Sequence, residues 1–163
     1  MPKIHLPASV YTAPGTISGW QWLPYTDKKS LATLKAAIRL IDTRIKGYKP
    51  CNAAFKALAG GKTFAQVWSD NSVWISYDPG KKSGRYGVTY LKKHISITHY
   101  SLAMGKWTAA ATLVHELAHV NGAPGTNTKA EDTLLKCLLK TLHDPNIIGS
   151  INNSNRLRGS LFA

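Results

Sequence analysis

The chain has 163 residues, a length that fits one domain, and 44% of them are hydrophobic, enough to bury a core, so disorder is not the default reading. Lys and Arg number 21 against 8 Asp and Glu, a formal charge of +13 that favours contact with nucleic acid, an anionic membrane face or acidic cell-wall polymer. No run approaches the roughly 20 apolar residues of a transmembrane segment, and the opening MPKIHLPASVYTAPGTISGW has no apolar signal-peptide core.

In chain order, residues 1–29 are rich in Pro, Gly and aromatics such as Trp20 and Trp22, and read as an irregular lead-in packed on the domain. Leu31, Leu34, Ile38, Ile41 and Ile45 recur at steps of three and four, which predicts an amphipathic helix from Ser30 until Gly47 and Pro50 stop it. A short helix is expected over 52–58, ended by Gly60 and Gly61, and Thr63 with Gln66 resembles a capping box opening another. Cys51 and Cys137 fit no CxxC spacing; they can pair in an oxidising compartment or remain buried thiols.

The period then changes. Val73, Ile75 and Tyr77 alternate with Trp74 and Ser76 as a strand does, and Asp78-Pro79-Gly80 turns the chain. A basic loop, Lys81, Lys82 and Arg85, reads as a solvated hairpin or a contact for an anionic substrate. Residues 88–91 and 94–99 read as two further strands, and the short loops between them predict an antiparallel sheet. Helical period returns at Thr108, taken as an N-cap, and runs to Asn121, where Gly122 and Pro124 end it. A last helix is expected over 129–143, then a polar, loosely ordered tail over 146–163. The sum is a single α+β domain over 1–163: a small antiparallel sheet packed against one buried helix and several others.

That buried helix carries Val114-His115-Glu116-Leu117-Ala118-His119. Histidines four residues apart project from one helix face, so their imidazoles can converge on one tetrahedral Zn2+. Glu116 starts about 100° round the axis from His115, within reach of a water beside the metal and poorly placed as a ligand, which suits a general base. The helix is apolar nearly all round, so two His and one Glu on it need a compensating partner, and a metal supplies one.

A catalytic zinc needs a third protein ligand. The metzincin pattern would put it where Gly125 stands, and the pattern fails there. Gly125-Thr126-Asn127 partly resembles the GTxD of the deuterolysin-like peptidases, with Thr128 in place of the Asp. The remaining route resembles the gluzincins, whose third ligand is a Glu from the following helix. Glu131 fits that role, sharing a face with Leu134, Leu135, Leu138 and Leu142. Thr128 to Glu131 also reads as a capping box, and Asp132, His99 and His143 are the other candidates for the ligand.

HELAHVNGAPG, followed by a helix opening AED and containing a Cys, resembles the metallopeptidase domains of bacterial toxins, including those carried by type VI secretion spike proteins; the likeness covers mainly 107–140. It implies a zincin-like fold, an antibacterial effector delivered without a cleaved signal peptide and cytoplasmic in its producer, a protein or peptide substrate near the cell wall, and an immunity protein. It also implies that a strand just before the active-site helix, here 95–99, runs beside the substrate. His99, Tyr100 and Tyr90 are candidates to stabilise the oxyanion, or are packing aromatics. Two other readings stand beside this one: a nucleic-acid-binding module or SprT-like DNA-associated protease, and a zinc amidase acting on peptidoglycan peptides.

Overall fold

A computed structural model describes residues 1–138 of the chain; the end of the last expected helix with Leu142 and His143, and the tail over 146–163, lie outside the described residues. The period-2 segments form one sheet from β1 (Lys3–Ile4), β2 (Trp74–Asp78), β3 (Gly87–Tyr90) and β4 (His94–Thr98), in the order β1-β2-β4-β3. The sheet is mixed and not antiparallel as expected. β1 and β4 both run parallel to β2, and only β3 and β4 form an antiparallel hairpin.

Burial explains the order. Ile95, Ser96, Ile97 and Thr98 are all buried, so β4 belongs inside the sheet, while every residue of β3 is half-exposed and suits an edge. The loop 79–86 therefore carries the chain past one strand position, and β4 returns to fill it. Ile75, Ile95 and Ile97 face the helices. On the other face the Ser96 hydroxyl donates to the Gln21 carbonyl, and Tyr11 stacks on Trp74 at 4.5 Å, so the lead-in covers that side.

Among the described residues there are six α-helices. α1 (Lys28–Leu40) starts where the Asp27 carboxylate accepts from the Lys29 and Ser30 amides, and a wider π turn, Ile41–Ile45, continues it. α2 (Lys49–Lys56) begins earlier than expected because Pro50 fits the first helical turn, where its missing N–H costs nothing. α3 (Phe64–Trp68) opens with the Thr63–Gln66 capping box. Thr98 ends β4 and caps α4 (His99–Ala103), so His99 is helical, not the last residue of a strand. α5 (Lys106–Val120) begins after Gly105, whose φ of 108° only glycine adopts readily; Thr108 lies buried within the helix instead of capping it.

Leu113, Val114, Leu117 and Ala118 bury α5 in the core, each large side chain contributing about 1.5–3 kcal/mol. Its end is locked by Asn121, whose amide donates to the carbonyls of Phe55 and Lys62, both at 2.8 Å. α6 (Lys129–Leu138) follows, and Cys137 on it is disulfide-bonded to Cys51 on α2. Of the two states open to these cysteines, the paired one is present.

Candidate metal centre and active site

His115 and His119 lie one turn apart on α5, their ring planes at 74° and their Nε2 atoms 3.1 Å apart. Two ligands of a tetrahedral zinc, with bonds of about 2.0–2.1 Å, stand roughly 3.3 Å from each other, so the pair is spaced for one ion. Gly122, with φ 89°, turns the chain so that the Ala123 amide reaches back to the Ala118 carbonyl at 2.9 Å. The Ala123 carbonyl then accepts from His119 Nδ1 at 2.9 Å. That bond places the hydrogen of the neutral ring on Nδ1 and the lone pair on Nε2, directed at His115.

The tautomer of His115 decides what lies between the rings. Its Nδ1 is buried without a hydrogen-bond partner, and Glu131 Oε1 stands 3.9 Å away. A hydrogen on Nε2 would close an N–H···N bond to His119 but turn the Nδ1 lone pair towards a carboxylate. A hydrogen on Nδ1 faces that carboxylate favourably and leaves two Nε2 lone pairs opposed, an arrangement a cation completes. Burial, with a smaller contribution from His119, lowers the His115 pKa to about 4, so this ring is a neutral donor at physiological pH.

Glu116 is only 4% exposed. Register brings its partners: Gly87 and Thr89 pair with Ile97 and Ile95, so both point to the helix side of the sheet, onto α5. Thr89 Oγ1 donates to Glu116 Oε2 at 2.7 Å and also lies 2.9 Å from the Glu116 carbonyl. A Cβ on Gly87 would stand 2.7 Å from Thr112 Cγ2 and 3.2 Å from Glu116 Oε1, so glycine is what lets β3 close on the helix. Burial pushes Glu116 up to about 7, opposed by His119 and the Thr89 hydroxyl, while Glu131 adds to the rise. A carboxylate near neutrality is suited to trading protons at physiological pH.

Glu131 does not form the anticipated capping box. Asn127 accepts from the Lys129 amide at 3.1 Å, and the Thr128 hydroxyl donates to Asp132 at 3.1 Å, leaving Asp132 exposed on the outer side of α6. Glu131 turns inward, its side chain 16% exposed and its Oε2 buried without a partner. His99 is bonded through Nδ1 to the Tyr77 hydroxyl at 2.9 Å and does not line the cleft; His143 lies outside the described residues. Among the described residues no three His, Cys, Asp or Glu side chains close into a full ligand set, because Glu131 approaches His115 from its Nδ1 side.

His115, Glu116 and His119 line an open cleft of about 400 Å³, bounded by Gly87, Val88 and Thr89 on β3, by Leu91 and Lys92 in the following turn, and by Ala123 and Gly125; Glu131 stands behind His115, outside that lining. Neither Tyr90 nor Tyr100 lines it. Tyr90 packs on Trp22 across the sheet, and Tyr100 shares a hydrogen bond with Ser83. Arg85, from the basic loop, stacks over Trp20 at 3.7 Å. The strand expected beside a substrate is also corrected: β4 is paired on both sides, and among the described residues the sheet edge at the cleft is β3. Thr89, Gly87 and Lys92 are the site residues that sequence reasoning missed; a Gly and a Thr two apart in a strand signal a shared face but not what that face meets. Comparison with protein families, curated proteins and solved structures finds no match to this chain.

Proposed function

We propose that this cleft hydrolyses peptide bonds as a zinc metallopeptidase with a zincin-like arrangement. The observation that carries the reading is the opposed pair of Nε2 atoms, 3.1 Å apart, beside the buried carboxylate of the intervening Glu116. His115 and His119 would hold the metal, and the third ligand we assign is Glu131, whose unpartnered Oε2 would have to move from the Nδ1 side of His115 to reach the ion. Bound zinc would supply Lewis acidity, polarising a carbonyl and acidifying water.

The chain's own residues do the rest. Glu116 takes a proton from the attacking water and returns it to the leaving amine, the exchange its elevated pKa suits. Thr89 holds one carboxylate oxygen and so aims the other. The β3 edge offers backbone N–H and C=O groups to an extended peptide, aligning it along the cleft. The disulfide supports action in an oxidising compartment, consistent with an exported antibacterial effector acting near the cell wall.

Purified protein should hold about one zinc per chain by the ligand count, cleave an unfolded protein substrate, lose that activity to a chelator and regain it with zinc. Metal-loaded protein that cuts no amide bond ends this reading. The charge of +13 favours a second one, a zinc amidase on wall peptides, which release of muropeptide fragments without proteolysis would select.

A further inference from the structure

We propose that the Cys51–Cys137 disulfide is a redox switch for this same site, setting Glu131 against His115 only once the protein stands in an oxidising compartment. The inference rests on the metal reading of the cleft and adds regulation to it.

The connectivity is mechanical. α5 carries His115 and His119, and its terminal Asn121 is bonded to the Phe55 carbonyl at the end of α2. α2 is further fixed by Asn52, whose amide donates to the Lys46 carbonyl at 2.9 Å and whose side-chain oxygen accepts from the Ala65 amide at 2.9 Å. The histidine helix and α2 thus form one platform.

α6 is joined differently. Over its described residues, Lys129–Leu138, Ala130, Thr133, Leu134 and Cys137 bury its inner side. Cys137 lies six residues after Glu131, about 9 Å along the axis. Its bond to Cys51 ties α6 to α2, in addition to the 121–128 backbone connection that joins α6 to α5. Among the described residues the carboxylate it serves has little other restraint: Glu131 Oε2 has no hydrogen-bond partner there, and Oε1 stands 3.9 Å from His115 Nδ1. Glu116, in contrast, is bonded directly to β3. The group with the weakest local hold is therefore on the helix whose position depends on the redox state.

The chemistry is thiol–disulfide exchange with a protein or small-molecule disulfide as oxidant. The Cys51 and Cys137 thiols give up two protons and two electrons, one S–S bond forms, and the oxidant's S–S bond is reduced to two thiols. In a reducing cytoplasm the dithiol form leaves α6 held by its connection to α5 and by packing, without the tie to α2, and the producing cell carries a protein with a weakened metal site.

Zinc dissociation constants of the full chain, oxidised and after reduction by a phosphine, measured by chelator competition beside hydrogen exchange of the α6 amides, test the proposal. Reduction should weaken zinc binding at least tenfold and speed exchange over 129–137 while α5 stays protected, and reoxidation should reverse both. The Cys51→Ser/Cys137→Ser chain should match the reduced protein, and Glu131→Gln should bind zinc weakly whatever the redox state. Equal zinc affinity in both folded forms overturns the switch. If the oxidised chain takes up no zinc, the metal reading fails by itself, and α6 exchange decides: unchanged rates on reduction overturn the switch as well.

Discussion

Two pairs of histidines stand on opposite sides of this molecule, and the protein treats them differently. On the face covered by the lead-in, His94 Nδ1 is 2.7 Å from the Tyr11 hydroxyl, and His5 Nδ1 is 3.4 Å from the Ser76 hydroxyl. Tyr11 packs against both rings, at 4.6 and 5.6 Å. These are imidazoles with partners supplied by the fold. In the cleft, His115 and His119 meet each other, Glu131 stands behind one, and Glu116 lies between them in sequence. Residue type alone does not mark a site; what separates the pairs is that the cleft rings oppose their Nε2 atoms at 3.1 Å and that His115 Nδ1 is buried without a partner among the described residues.

The largest expected difference between the two regions is in hydrolysis. Glu116→Gln should lower kcat by about 10²–10⁴, the usual range for a general base, with zinc content unchanged. His94→Gln should leave kcat as it was. Loss of activity from both substitutions, each in folded protein, would erase the distinction.

Binding comes next. Zinc at a hundred times its dissociation constant should stabilise the protein by about 2.7 kcal/mol, read as a rise in melting temperature. His119→Ala should abolish the rise and His94→Gln should preserve it. Equal responses would mean that the cleft is not where zinc acts.

Much of this was legible in the sequence, and the remainder was hidden for identifiable reasons. His115, Glu116 and His119 declared themselves because four residues make one helical turn, a local fact. The strands were likewise visible by alternation, but their order was not: β4 enters the middle because both of its faces are buried, and burial is a property of the assembled sheet. The expectation of antiparallel neighbours assumed that consecutive strands pair, and the 79–86 loop breaks that assumption. Thr89 and Gly87 gained their roles from register across that hairpin. The cysteine pairing depended on α2 and α6 packing together across a separation of 86 residues. Asp132 and Glu131, adjacent in sequence, were sorted by which carboxylate the Thr128 hydroxyl took up.

Titration offers a sharper contrast, in metal-free protein. His115 has its folded pKa lowered to about 4 from an ordinary 6.5, so stability from this residue is full above pH 6.5 and is lost as pH falls towards 4. Glu116 has its pKa raised to about 7 from 4.5, so its contribution has the opposite sign, present below pH 4.5 and lost as pH rises towards 7. Between pH 4.5 and 6.5 the two slopes oppose each other, each about 1.4 kcal/mol per pH unit. Glu116→Gln removes one of them. Urea denaturation of the metal-free variant should therefore show a steeper loss of stability on acidification than the parent chain. His5 and His94, both with pKa lowered by burial, contribute equally in the two proteins, and identical pH profiles would disprove the opposition.

The smallest effect distinguishes Thr89 from an ordinary strand residue. Its hydroxyl has one hydrogen to donate and two acceptors within reach, the Glu116 carboxylate at 2.7 Å and the Glu116 carbonyl at 2.9 Å. Thr89→Val keeps the branched shape that suits a strand and removes that hydrogen, leaving a buried carboxylate without its donor, a loss of about 1–3 kcal/mol. Part of it should appear in catalysis as a fall in kcat of about tenfold, equivalent to about 1.4 kcal/mol, with KM little changed if, as proposed, the backbone of β3 holds the peptide. Thr89→Ser restores the donor while losing a methyl group, so it should recover kcat even if it recovers less of the melting temperature. Equal kcat for the Val and Ser variants would reduce Thr89 to packing, and Glu116 would then owe its aim to Gly87 and the helix alone.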